Sequence, residues 1–310
     1  MTVAVVFPGQ GSQKIGMLDV LAEEFTPAKA IIDKANETLG YDIIDLINNN
    51  PEDKLNQTAY TQPALLVTEY LLYQCWQAHH DMQPSFLAGH SLGEYTALLC
   101  AEAISLEDSL HIVKLRGELM QMAVAAGVGA MAAIIGLDNQ AIEKICREVS
   151  SQGADVACAN YNSPGQVVIS GYTNAVEHAM SLATKKGAKM VKKLAVSVPS
   201  HSLLMRQCAD NFARIYDHVA INLPKIPVLH NIDAKTRSNP GAIADALISQ
   251  LYLPVQWVNS VSALAQEGIT KVIECGPGKV LSGLIKRIDK SLTCHQLATY
   301  AQCVEGFANV

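Results

Sequence analysis

Gly89-His90-Ser91-Leu92-Gly93 is a glycine-x-serine-x-glycine run between a short apolar stretch at 86–88 and an Ala/Leu-rich stretch at 94–103. A strand, a sharp turn and a helix in that order make a nucleophile elbow. The flanking glycines let the backbone turn, the serine Oγ stands above the sheet, and the helix N-terminus favours negative charge developing beside it. The alternative for Ser91 is an ordinary helix N-cap. As a nucleophile it needs a base, because a serine hydroxyl is weak at its free pKa. In elbow enzymes the histidine comes later in the chain. His111 falls on the polar side of its helix, His178 on a helix of an inserted unit, His218 at the end of a surface helix and His295 in a tail. His201, in "SVPSHS", and His230, in "VLHNID", both sit at strand ends. Pro199 stiffens the loop around His201 and favours it over His230, with a purely structural histidine as the third reading.

An acyl-serine mechanism also needs two N–H donors for an oxyanion, each worth about 3–4 kcal/mol. One belongs to the residue after the nucleophile, Leu92; the other comes from a loop at the end of a neighbouring strand. "PGQGSQ", Pro8 to Gln13, follows the strand Val3–Phe7 and suits that second role, with Gln10 between its glycines. It fails both nucleotide templates: the third glycine position of the dinucleotide fingerprint is Lys14, and Gly16-Met17 is not the Gly-Lys of a P-loop. A plain tight turn is its other reading. Arg116 stands among Ile112, Val113, Leu119 and Met120, its neighbours one helical turn away. A guanidinium on an apolar wall needs an anion, either an acidic substrate held in a two-pronged fork or a protein carboxylate.

The elements that must position these residues alternate between helix and strand, which makes an α/β protein. After the strand Val3–Phe7 come helical stretches at 17–38 and 61–79, a strand at 86–88, a helix at 94–103, and a helix capped by Ser105 that runs to about residue 124. Strand 131–135, helix 139–150, strands 155–159 and 167–170, helix 174–185 and strand 189–196 then give the order β-α-β-β-α-β of a ferredoxin-like unit. Helix 202–216, strand 226–230, helix 241–251 and strand 271–274 resume the larger sheet. The expected division is 1–126 for the first part of the large unit, 127–197 for the insertion and 198–310 for the second part.

At 310 residues, 49% hydrophobic and 17% charged, the chain can bury a substantial core. A net charge of −6 argues against nucleic acid as a partner. The eight cysteines have no paired or metal-binding spacing and read as thiols in a reducing cytoplasm. The apolar N-terminal run is too short for a signal peptide. Residues 119–137 carry no Asp, Glu, Lys or Arg, but their glycines, alanines and Gln121 suit a helix end, a turn and a buried strand better than a membrane span.

Ordered along the chain, "VFPGQGSQ" (6–13), "TQPALL" (61–66), "GHSLGEY" (89–95), "KLRGELMQ" (114–121), "NYNSPGQVVISG" (160–171), "VPSHS" (198–202), "QLYLPVQW" (250–257) and "ECGPGKVLSGLIKRI" (274–288) resemble the malonyl-CoA:acyl-carrier-protein transacylases of fatty-acid synthesis. The resemblance implies an α/β-hydrolase-like parallel-sheet subdomain with a ferredoxin-like insertion, and malonyl-CoA and acyl carrier protein as partners. It implies no metal and no cofactor. It makes Ser91 the nucleophile and His201 the base, oriented by the Gln250 main-chain carbonyl rather than by an acid. Gln10 and Leu92 form the oxyanion hole, Arg116 takes the malonyl carboxylate and Gln62 lines the same pocket. Malonyl-selective modules of large synthases often carry Ala-Phe-His before the base, whereas this chain has Pro199-Ser200-His201, as stand-alone bacterial enzymes do. The competing readings are a serine hydrolase or thioesterase, the acyltransferase subunit of a malonate decarboxylase, and an inactive carrier-protein docking subunit.

Overall fold

A computed structural model describes residues 2–125, 127–196 and 198–306. In chain order the elements are β1 (Val3–Phe7), α1 (Asp19–Glu24), α2 (Ala28–Leu39), α3 (Ile43–Asn49), α4 (Thr58–His79), β2 (Phe86–Gly89), α5 (Gly93–Cys100) and α6 (Leu106–Met122). Next come β3 (Gly129–Ile135), α7 (Asn139–Ser150), β4 (Val156–Ser163), β5 (Gln166–Tyr172), α8 (Thr173–Lys185) and β6 (Met190–Lys193). The chain continues with α9 (Arg206–Phe212), β7 (Val228–Leu229), α10 (Pro240–Gln250), α11 (Trp257–Gln266), β8 (Lys271–Cys275), α12 (Val280–Ile288), β9 (Thr293–Leu297) and α13 (Tyr300–Glu305).

β1 explains the layering of the large unit. All five of its residues are buried, and they alternate between two cores. Val3, Val5 and Phe7 belong to the core built with α4, α5 and α6. Ala4 and Val6 belong to the other, with Trp257 and Val261 of α11 and Leu281, Leu284 and Ile285 of α12. A strand apolar on both faces belongs in the middle of a parallel sheet covered by helices on both sides. The sheet runs β7-β2-β1-β8-β9 with every pairing parallel, and β1 sits at its centre.

The second sheet is antiparallel, in the order β4-β5-β3-β6, which is the ferredoxin-like arrangement of β-α-β-β-α-β. Ala130, Ala132, Ile134, Val167 and Ile169 pack on one of its faces against Ile142, Ile145 and Val149 of α7 and Val176 and Ala179 of α8. Met131, Val168, Leu194 and Val196 gather on the other side. The main chain ties β4 of this sheet to the segment between α10 and α11: Tyr161 N–H donates to the Val255 carbonyl and Val255 N–H to that of Ala159, both at 2.9 Å. The expected boundaries at 126/127 and 197/198 touch Ala126 and Ser197, which lie outside the described residues, as do residues 307–310 at the end of the last part.

Four expectations need correction. The helix expected over 17–38 is two helices: the chain is extended at Phe25, and Pro27 caps the start of the second. The helix expected over 202–216 is α-helical only at α9, with tighter 3-10 turns on either side. The strand expected over 189–196 pairs only from Met190 to Lys193, and its remainder turns toward the site. His295 is in no tail: it lies on β9, the parallel edge strand beside β8. Residues 119–137 are the end of α6, a connection and β3, and no helix among the described residues is long and apolar enough to cross a membrane.

The β2–α5 turn depends on two glycines. A Cβ on Gly89 would coincide with the main chain of Gly93, and a Cβ on Gly93 would run into the Phe7 carbonyl of β1. Gly283, by contrast, lies exposed on α12 with open space where a Cβ would go. Gly93→Ala should therefore lower the denaturation midpoint by an amount worth about 1–3 kcal/mol or more, as overpacking against backbone does. Gly283→Ala should raise it by about 1 kcal/mol through helix propensity. Urea unfolding of the two variants beside the parent checks both signs.

Candidate active site

Ser91 occupies the turn between β2 and α5 with φ of 54°, a left-handed conformation that costs about 1–3 kcal/mol and persists only where its surroundings enforce it. Its surroundings do so at three points. Ser91 N–H donates to Asn231 Oδ1 at 2.7 Å, the Asn231 amide donates in turn to the Gly89 carbonyl at 2.6 Å, and the Ser91 carbonyl accepts from Gln250 Nε2 at 2.9 Å. The result aims Ser91 Oγ at His201 Nε2, 2.8 Å away.

His201 is also left-handed, with φ of 58°, in a turn tied by the Ser202 hydroxyl to the Pro199 carbonyl at 2.7 Å. Its Nδ1 is 2.7 Å from the Gln250 carbonyl oxygen. A carbonyl only accepts, so the proton sits on Nδ1, and the Nε2 lone pair is left for the Ser91 hydroxyl. Burial first, and the neighbouring Arg116 charge second, push the imidazole pKa down to about 3, while the Gln250 carbonyl pulls it the other way. The ring is neutral at ordinary pH, as a base must be.

Arg116, on α6, is 2% exposed. Its Nη1 donates to Gln62 Oε1 at 2.7 Å, and its Nη2 to Gln250 Oε1 at 2.8 Å and Ser91 Oγ at 3.2 Å. Tyr95 stacks beside it, 5.2 Å from ring centre to guanidinium carbon. Every one of these partners is neutral, and Nε has none among the described residues. The protein carboxylate that sequence reasoning allowed as its anion is not among those partners. A buried cation with only dipoles around it keeps much of its desolvation cost, several kcal/mol, which an incoming anion would offset.

Ser91, His201 and Arg116 open on a cavity of about 120 Å³ that Gln10, Leu92, Met120, Met131, Leu194, Val196 and Ser200 help to line. No described residue hydrogen-bonds to the N–H of Gln10 or Leu92. The "PGQGSQ" loop is drawn tight by Ser12, whose N–H and hydroxyl both reach the Gly9 carbonyl, and the Gln10 side chain is anchored to Thr58 Oγ1 at 3.1 Å. Beyond Gln10 and His90 a second space of about 230 Å³ continues between this loop, Asn160, Asn162 and the start of α12. His90 spans the two, bonded to Asn162 Oδ1 at 2.9 Å and packed on Trp257; burial lowers its pKa.

The acyl transferase domain model matches residues 4–302. A malonyl CoA-acyl carrier protein transacylase of Escherichia coli O157:H7 is 48% identical over 95% of this chain and 95% of its own length. The chain belongs to this transacylase family. Among solved members, the transacylase of Coxiella burnetii superposes with a TM-score of 0.96 at 43% identity, covering 98% of this chain and 96% of that one. A malonyl-transacylase in complex with its type II polyketide acyl-carrier protein gives 0.95 at 44%, over 98% and 99%.

The structure brings five residues expected from this family resemblance, Ser91, His201, Arg116, Gln62 and Gln250, into one hydrogen-bonded cluster, and places Gln10 and Leu92 on the cavity wall. His230, the other histidine considered as base, is as buried as His201 but meets a different partner: its Nδ1 is bonded to Glu94 Oε1 at 2.7 Å, whereas Ser91 Oγ faces His201. Sequence reasoning missed Glu94 and Asn231. The signal for Glu94 was a charge on the first turn of an otherwise apolar helix, inside the motif that carries Ser91. Asn231 had no signal beyond its place next to His230.

Because protonation of His201 would remove the Nε2 lone pair, acylation should fail only below its depressed pKa. In the free enzyme, kcat/KM for acylation of Ser91 by malonyl-CoA, followed between about pH 5 and 8, should show no loss near the ordinary histidine value of about 6.5. An acidic limb at or above that value would contradict the neutral, buried base.

Proposed function

We propose that this transacylase moves a malonyl group from malonyl-CoA to the thiol of an acyl carrier protein, in fatty-acid synthesis, through a malonyl ester on Ser91. The observation that carries the reading is the buried Arg116 guanidinium, 3.2 Å from the nucleophile and served by neutral acceptors alone. A cation in that position selects acyl groups that end in a carboxylate, and a malonyl group places its carboxylate two bonds from the thioester carbonyl carbon.

In the first half-reaction the Ser91 oxygen attacks the thioester carbonyl while its proton passes to His201 Nε2. The tetrahedral oxyanion lies between the N–H groups of Gln10 and Leu92. Its collapse breaks the carbon–sulfur bond, and the imidazolium gives its proton to the departing CoA sulfur. The Gln250 carbonyl stabilises the imidazolium through Nδ1–H in place of the carboxylate of an ordinary triad. In the second half-reaction the carrier-protein thiol gives its proton to His201 and attacks the serine ester, and Ser91 recovers its proton as the ester breaks. Gln62 and Gln250 hold the guanidinium plane so that its remaining donors meet the malonyl carboxylate as a fork. Every proton in this sequence moves through His201.

The insertion, taken as residues 127–197, contributes Met131, Leu194 and Val196 to the cavity, so the acyl group is enclosed between the two units. We also infer that the chain works in the cytoplasm, a reading supported by eight cysteines that are all free thiols. Incubation with labelled malonyl-CoA tests the reaction class: a transferase keeps label on Ser91 until carrier protein arrives, whereas a hydrolase releases free malonate. Arg116→Ala should cut malonyl transfer by about 100-fold or more, the worth of one charge-assisted pair in a dry site, while acetyl transfer falls far less. Equal losses on both substrates would mean that the arginine only supports the fold.

A further inference from the structure

Glu94 is three residues beyond Ser91, on the first turn of α5, and its side chain is completely buried. An ionised carboxylate in that position is tolerable only when its oxygens are occupied. Oε1 accepts from His230 Nδ1 at 2.7 Å; Oε2 accepts from Asn231 N–H at 3.0 Å and from Gln250 Nε2 at 2.7 Å. Two of these partners act directly on the site. Asn231 ties Ser91 N–H to the Gly89 carbonyl across the strained turn, and the Gln250 carboxamide lies between Glu94 and Arg116.

A carboxamide has one donating end and one accepting end. A carboxylate can only accept and a guanidinium can only donate, so Gln250 fits between them in a single orientation. Turned over, it would set oxygen against oxygen at Glu94 and donor against donor at Arg116. The Nη2 group that points at Ser91 Oγ is therefore held from Glu94, through Gln250. His201 meets only the main-chain carbonyl of the same glutamine, so the site's buried carboxylate serves the arginine and the turn rather than the base.

We propose that Glu94 is a positioning residue of the transfer reaction: its carboxylate, through the Gln250 carboxamide, aims Arg116 at the acyl group and, through Asn231, holds the Ser91 turn. This rests on Arg116 receiving the malonyl carboxylate. Glu94→Gln keeps the size but removes the negative charge, and its amide N–H₂ can be accepted only by His230 Nδ1 after a change of tautomer, since Asn231 N–H and Gln250 Nε2 both donate. The full-length variant is acylated in single turnovers by malonyl-CoA and, separately, by acetyl-CoA. The malonyl rate should fall by about tenfold or more and the acetyl rate several-fold less, so that the malonyl-to-acetyl ratio collapses. A merely structural role would lower both rates in proportion, and a proportional loss, or none, overturns the proposal.

Arg116→Ala measured alongside separates the two readings. If its ratio is unchanged, the assignment of Arg116 fails. If its ratio collapses and that of Glu94→Gln does not, only the role of Glu94 fails. A collapse in Glu94→Gln alone overturns the route through the arginine. Should Glu94→Gln not fold, Gln250→Met retains the main-chain carbonyl for His201 and removes the carboxamide link. It also loses the Gln250 Nε2 bond to the Ser91 carbonyl, so both rates should fall, the malonyl rate far more than the acetyl rate, and an unchanged ratio in that variant overturns the proposal.

Discussion

A positive charge that touches no carboxylate organises this site. Among the described residues, Arg116 has three side-chain oxygens to donate to, none of them charged, and one nitrogen that donates to nothing. A protein that only needed to be stable would supply a carboxylate there or remove the charge. Keeping the charge unneutralised costs stability in the resting protein, and an acyl group that brings its own carboxylate recovers that cost. The same charge is one cause of the low pKa of His201, so on the proposed reading the group that selects substrate also keeps the base neutral. Once a malonyl carboxylate sits on Arg116, that push on His201 weakens as the imidazole must take up a proton.

The fold brings these groups together from distant parts of the chain. The turns after β1 and β2 end side by side because those strands pair in register, with Phe7 beside Gly89, which sets the Gln10 loop against the elbow. α4 and α6 pack together and bring Gln62 to Arg116. The end of α10 supplies Gln250, whose carbonyl and carboxamide serve different partners: the base on one side, the arginine and Glu94 on the other. The inserted sheet covers the opening with Met131 and the segment after β6.

How much of this could be read from the sequence follows from the kind of physics involved. The elbow was legible because strand, glycine, serine, glycine and helix are local, and the ferredoxin-like unit because its six elements are consecutive. Arg116 stood out because a charge among apolar helical neighbours breaks an amphipathic pattern. The choice between His201 and His230 could only be argued from Pro199, since both histidines end up buried near Ser91 and differ in which partner each meets. Glu94 and Asn231 were not legible, because their roles lie in hydrogen bonds to residues about 140 positions away. The split of the expected 17–38 helix was readable at Pro27, whereas the 3-10 turns on either side of α9 had no such local signal. β9 was missed because an edge strand with a half-buried polar sequence has no clear alternation.

The most direct measurement is a crystal structure of the protein acylated on Ser91 from malonyl-CoA. The malonyl carboxylate should lie in a two-pronged contact with Arg116, with Gln62 and Gln250 still on the guanidinium and the ester oxygen facing the N–H groups of Gln10 and Leu92. A carboxylate directed to solvent or to another cation, with Arg116 turned onto a protein carboxylate, would contradict the account.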